Sequence, residues 1–243
     1  MVNNRYAAVH ANPQGAGDAR PTASQIIEDE GLINKLHDKT IVIPGCSSGL
    51  GLETTLALHK TGARLFLTAR NLSKAREALK DILPSSEDKQ RELFELDQTS
   101  LDSVRKCAAE ITNAANGKLN ILICNAGVWL VPEGRTKDGF ETHWGVNHLS
   151  HFLLFQQLAP SLLAASTSVF RSRVVVVSSM EHREAKNINW DNLNFDKGNY
   201  DRSASYTLSK LANIYMANEI ERRYGSRGLH ALSVHPGGAA TGI

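Results

Sequence analysis

Little in this 243-residue sequence runs to an extreme, and each shortage removes a class of function. Cysteine is scarce: Cys46, Cys107 and Cys124 are an odd count with no C-x-x-C pair, which argues against a disulfide framework and a zinc ribbon. Buried thiols in a reducing compartment are expected instead. Charge of one sign is not in excess, since 27 basic and 25 acidic residues leave a formal +2. The Lys and Arg are scattered, so no nucleic-acid footprint is visible. Long apolar runs are missing too: no window approaches the ~18 residues of a spanning helix, and Met1 to Arg20 holds no signal-peptide core. A cytoplasmic protein is the expectation. At 42% hydrophobic and 21% charged residues, neither a disordered chain nor a fibre fits. The length, roughly 1.6 times a ~150-residue domain, suits one compact unit with a sizeable core.

What is present is alternation. Residues 1 to 21 read as a loose tail, and Thr22 to Leu36 as a short helix with a capping Thr and apolar positions near helical spacing. Beyond this 1–38 segment, β-rich runs alternate with helical patterns through a single domain, 39–243. The runs are Thr40–Ile43, Arg64–Thr68, Glu92–Leu96, Leu119–Cys124, Arg173–Ser178 and His230–His235. The helical patterns between them are Leu50–Lys60, Ser73–Leu83, Ser100–Ala115, Phe140–Ala165 and Ala204–Tyr224. Val174–Val177 is apolar at every position, the mark of a parallel strand covered on both faces. The prediction is an α/β fold, a doubly wound parallel sheet of Rossmann type with helices on both faces. Such sheets bind ligands beyond the carboxyl ends of their strands.

The first strand ends in Gly45-Cys46-Ser47-Ser48-Gly49-Leu50-Gly51. Absent side chains there would let backbone N–H groups approach a phosphate at a helix N-terminus. The spacing G-x-x-x-G-x-G is not G-x-G-x-x-G, and a tight βα turn that binds nothing would look the same. No Lys-Ser or Lys-Thr follows, which excludes a P-loop. The stretch also satisfies G-x-S-x-G, the nucleophile elbow of serine hydrolases, with Ser47 as nucleophile and Asp191 and His235 in the required chain order. Against this, no earlier strand exists to supply the second oxyanion donor.

Tyr206 and Lys210 stand four apart on a helical pattern and so share one face. A phenol titrates near ~10, so acid–base work near neutrality needs a shift of about 3 units, worth roughly 4 kcal/mol. A neighbouring cation can supply much of it. Ser179 ends a buried strand, and Asn147 lies in the helix before that strand.

Together these residues make the chain resemble the short-chain dehydrogenases/reductases from about Lys39 to Ile243. Within them it is most similar to the retinol-dehydrogenase and WW-domain-oxidoreductase-like group, through Asn147-His148-Leu149-Ser150-His151-Phe152, Trp190-Asp191-Asn192-Leu193-Asn194-Phe195 and Ser209-Lys210-Leu211-Ala212-Asn213. The resemblance implies that Tyr206 exchanges a proton with the substrate oxygen and Ser179 orients that oxygen. It implies that Lys210 lowers the phenol's pKa and holds the nicotinamide ribose, and that Asn147 anchors a relay water. Ser178 is the adjacent candidate for the serine role. A hydride would pass between the nicotinamide and an alcohol or carbonyl carbon of a small, apolar substrate.

For the cofactor, the resemblance puts Gly45, Ser47, Gly49, Leu50 and Gly51 at the pyrophosphate, Asp97 at the adenine, and Asn125, Ala126 and Gly127 beside them. Pro236, Gly237 and Thr241 would meet the carboxamide. Arg70 stands at the end of the second strand, where an acidic residue would grip a ribose hydroxyl and an Arg can pair with a 2′-phosphate. NADP is therefore expected over NAD.

Two departures stand out. Pro44 replaces the family's Thr and Cys124 its Asn, so the tie between these two turns must be made differently. Family members also continue beyond the Pro-Gly…Thr segment, so a final strand and helix are expected to be missing, which disfavours an oligomer. A catalytically poor nucleotide-binding relative is the alternative to an active enzyme. His148 and His151 lack a third metal ligand, and Asn71-Leu72-Ser73 reads as a helix start rather than a glycosylation site.

Overall fold

The structure, a computed structural model, describes residues 5–15, 17–83, 90–185 and 188–238. Six parallel strands form one sheet in the order β3-β2-β1-β4-β5-β6. They are β1 (Thr40–Pro44), β2 (Arg64–Ala69), β3 (Arg91–Glu95), β4 (Ile121–Cys124), β5 (Ser172–Val177) and β6 (Leu229–Val234). The order reverses between β1 and β4, as the alternating pattern predicts for a doubly wound fold. Among the described residues no helix is long and apolar enough to cross a membrane.

Strand side chains alternate between faces, and here both faces are apolar. Val42, Phe66, Leu122, Val174 and Val176 build one core with α5 (Leu101–Ala114), α6 (Ser150–Ala165) and α7 (Arg202–Tyr224). Ile41, Ile43, Leu65 and Leu67 build the other, towards α3 (Gly49–His59) and α4 (Leu72–Ala78). That two-sided demand explains the apolar runs of β1, β2, β4 and β5. On the second face β5 and β6 are less covered: Val175 and Val177 are half-buried, and Leu232 is 45% exposed.

Helix starts follow their caps. Asn71 accepts a hydrogen bond from the Lys74 N–H at 2.8 Å, Ser100 from Ser103 at 3.3 Å, and Asp201 from Ala204 at 2.7 Å. Asn71 is thus the helix start expected of it. Three expectations need correction. The helix expected over Thr22–Leu36 is only α2 (Ala23–Asp29), because the chain turns through Gly31 at φ +64°. The loose tail contains α1 (Ala7–Ala11) and is tied to α2, with the Tyr6 hydroxyl 2.8 Å from Asp29 Oδ2 and Arg5 Nη1 donating to Asp29 O at 2.7 Å. The helix expected over Phe140–Ala165 opens instead with a π-helical segment, Trp144–Leu149, before α6. π-helical turns are frequent at functional sites.

Leu122 is fully buried at the centre of the first core. Leu122→Ala is expected to cost about 2–5 kcal/mol of unfolding free energy, read from denaturant midpoints at unchanged slope.

Candidate active site

The β1–α3 turn is built around close backbone approach. Gly45 sits at φ +77°, and its N–H and that of Cys46 both donate to Thr68 O at the end of β2, at 2.9 and 3.2 Å. A Cβ on Gly51 would lie 2.0 Å from Gly45 O and 2.6 Å from Asn125 Nδ2, so only glycine lets α3 press on the turn. Gly49, at φ +55°, opens α3. Ser48 precedes it without a side-chain cap, which leaves the first N–H groups of α3 available to an anion. The tie expected to be missing with Pro44 comes from the opposite side: Asn125 Nδ2 donates to Pro44 O at 3.3 Å and Gly45 O at 3.5 Å. Cys46 and Cys124 are buried there, and desolvation pushes both thiols up to about 12.

Two cavities meet at this turn, sharing Gly45, Ser47, Ala126, Gly127 and Val128. One, of about 480 Å³, runs over the ends of β2 and β3 and is lined by Arg70 and Asp97. Asp97 is partly engaged already: its Oδ1 accepts from the Thr99 N–H and hydroxyl, and its Oδ2 lies 2.8 Å from Lys137 Nζ. Desolvation works against the carboxylate, but Lys137 and the Thr99 bonds together hold it below its usual range. The other cavity, of about 190 Å³, is lined by Leu50, Gly51, Asn125, Tyr206, Lys210 and Pro236. Gly237 is on neither lining, and Thr241 lies outside the described residues. A third hollow of about 460 Å³, with Glu184, Phe195, Asp201 and Leu208, touches none of Asn147, Ser179, Tyr206 or Lys210.

Helix α7 presents Tyr206 and Lys210 to the second cavity. Burial raises the Tyr206 pKa, the Ser179 hydroxyl pulls it down, and Glu181 pushes it up. Lys210 Nζ lies 5.5 Å from the centre of the Tyr206 ring and donates to Val177 O at 3.2 Å. Burial lowers its pKa to about 8. The fall in phenol pKa expected from Lys210 is not seen in this arrangement, where desolvation raises the phenol and Ser179 alone pulls it down. Ser178 spends its hydroxyl on Lys210 O at 2.7 Å, while Ser179 faces the phenol.

Asn147, fully buried in the π segment, clamps the loop after β4: its Oδ1 accepts from the Val128 N–H at 2.7 Å and its Nδ2 donates to Val128 O at 3.0 Å. Nδ2 also reaches Ser209 Oγ at 3.0 Å. A Cβ on Gly127 would lie 3.0 Å from Asn147 Oδ1 and 3.6 Å from Lys210 Nζ, which makes that glycine a close-packing position.

Sequence reasoning assigned no part to the buried pair behind the tyrosine. Glu141 and His143 are both fully buried. The carboxylate accepts from the His143 and Trp144 N–H groups at 2.9 and 2.8 Å and lies 3.0 Å from His143 Nδ1. With His143 and Ser205, these donors hold it below its usual range against desolvation. His143 Nε2 accepts from the Val131 N–H at 3.2 Å, and its ring stands edge-on to Tyr206, 6.0 Å between centres. The available signal was two ionisable residues just ahead of an apolar helix.

The hydrolase constellation is not assembled. Among the described contacts, His235 Nδ1 accepts from the Met180 N–H and the Asp191 N–H turns to Asn189, and neither residue is joined to Ser47. Nor do the described residues hold a cluster of three metal-ligating side chains.

Residues 39–191 match the family model for short chain dehydrogenases. The chain is 48% identical over 240 residues to oxidoreductase calI of Penicillium decumbens, a match spanning 98% of this chain and 69% of that protein. It is 37% identical over 203 residues to human retinol dehydrogenase 13, spanning 84% of this chain and 60% of that one. Among solved structures, an uncharacterized protein from Mycobacterium paratuberculosis superposes with a TM-score of 0.70 at 37% identity, over 82% of this chain and 68% of the other.

Gly51→Ala should force the first turn of α3 off Gly45 O, an overpacking cost of about 1–3 kcal/mol. The expected outcome is a lower melting temperature, read by thermal denaturation.

Proposed function

Because this chain belongs to the short-chain dehydrogenase family, we propose that it is an NADP-dependent oxidoreductase working on an alcohol or carbonyl group, with Tyr206 as general acid and base. The observation that carries the reading is the meeting of Tyr206 and Lys210 with the β1–α3 glycine turn on one cavity where the strand order reverses, with Ser179 beside the phenol. The residues present fit a dinucleotide: α3 offers uncapped N–H groups, Gly51 and Gly127 keep the floor free of side chains, and the two cavities join across them. When bound, the cofactor supplies or accepts the hydride.

Each residue then has a task set by its position. The N-terminus of α3, with Gly45, Ser47, Gly49, Leu50 and Gly51, holds the pyrophosphate. Arg70 pairs with the 2′-phosphate, a charge-assisted contact that NAD lacks. Asp97 serves the adenine end, Asn125, Ala126 and Gly127 the centre, and Pro236, Gly237 and Thr241 the carboxamide. Lys210 holds the nicotinamide ribose, and Asn147 anchors a relay water. Ser179 orients the substrate oxygen and Tyr206 gives or takes its proton, a contribution of about 10²–10⁴ to the rate. Val128 and Trp129 on the smaller cavity suit a small, apolar substrate. The free, buried cysteines accord with a cytoplasmic location.

Tyr206→Phe should lower kcat by about 10²–10⁴ on a panel of apolar aldehydes and ketones while NADPH affinity stays within about threefold. Unchanged turnover would exclude the acid–base role. Arg70→Ala should narrow the preference for NADPH over NADH by about tenfold or more. Dissociation constants equal to those of the wild type would remove the case for NADP.

A further inference from the structure

We propose that Asn213 is a positioning residue of this cleft, its one side-chain amide fixing both the Asn147 carbonyl and the Val177 carbonyl on which the Lys210 ammonium is anchored. The proposal rests on the cofactor reading above and extends it to a residue one turn beyond Lys210. Tyr206, Ser209, Lys210 and Asn213 fall at i, i+3, i+4 and i+7, one face of α7. That face is buried, with Ser209 at 0%, Asn213 at 1% and Lys210 at 5% exposure, where packing alone would select apolar residues.

The geometry leaves the amide one orientation. Asn213 Nδ2 donates to Asn147 O at 3.0 Å and to Val177 O at 3.2 Å, which uses both of its hydrogens. Lys210 Nζ meets the same Val177 O at 3.2 Å. Oδ1 then faces His148 Nδ1 at 3.1 Å, so the imidazole must carry its proton there. One amide therefore sets the end of β5, the π segment and, through Val177 O, the ammonium. His148 is the ionisable group in contact with it. His151, on α6, and Lys210, on α7, are charge neighbours of His148 or of one another.

An apolar residue at 213 would leave two buried carbonyls short of a donor. An aspartate is more informative, because its protonated form has one hydrogen for two carbonyls and its carboxylate has none. Asn213→Asp should therefore bind NADPH more weakly than wild type at about pH 6 and lose a further factor of about ten or more by about pH 9, as the carboxyl loses its one proton. Melting temperatures at each pH would separate this from unfolding. A mutant-to-wild-type ratio that does not change with pH, near one or uniformly raised, overturns the proposal.

A second measurement needs no variant. The ¹⁵N shifts of the His148 imidazole in the wild-type protein should show the neutral Nδ1–H tautomer at about pH 7. An Nε2–H tautomer would mean that the amide points the other way, and the proposal fails. Absence of NADPH binding by the folded wild type would overturn the cofactor reading and this inference with it. A wrong tautomer or a pH-independent ratio would overturn the inference alone.

Discussion

Carbonyl groups at and beyond the ends of parallel strands must find donors outside the ladder, and among the described residues three asparagine amides and one ammonium serve several of them. Asn125 serves Pro44 and Gly45, Asn147 serves Val128, and Asn213 serves Asn147 and Val177 alongside Lys210. These bonds cross between segments that share no hydrogen-bonded ladder at that level. They join the turn after β1, the loop after β4, the π segment and the first half of α7 into one rigid floor. Two tight backbone approaches, at Gly51 and Gly127, complete it.

Such a floor is costly. Lys210 and Glu141 are buried, and burial works against the charge on each. Glu141 is compensated by backbone N–H groups and by His143, so it stays ionised. Among the described residues Lys210 has a carbonyl and the face of Tyr206 for partners, and burial leaves it with a pKa of about 8. The tyrosine in turn is raised by desolvation. Burial thus moves Tyr206 and Lys210 apart, the phenol upward and the amine downward, on the lining of one cavity.

Much of this was legible along the chain. The β-rich runs marked every strand, and Thr22 and Asn71 marked the starts of α2 and α4, because both signals are local. Tyr206, Lys210 and Ser179 could be named from spacing and strand ends, but the network that holds them could not. Glu141 and His143 precede their helix by a few residues and look like ordinary polar residues until His143 Nε2 is seen to meet Val131 and its ring to stand beside Tyr206. Asn213 repeats the helical period of Tyr206 and Lys210, yet its partners come from distant segments. The helix boundaries that sequence placed wrongly, at Leu36 and Phe140, follow from a left-handed glycine and a π turn, which hydrophobic spacing does not report.

The sequence by itself determined the strand and helix alternation, the parallel doubly wound sheet and the residue types gathered at its carboxyl edge. Periodicity and turn chemistry act over a few residues and need no partner. Only the tertiary structure decided that Asn125 replaces the tie Pro44 cannot make, that Ser179 rather than Ser178 faces the phenol, and that Lys210 rests on Val177 O. Each of those outcomes depends on which backbone carbonyl is left without a donor once the sheet has closed, and that is set by the strand order rather than by neighbours in the chain.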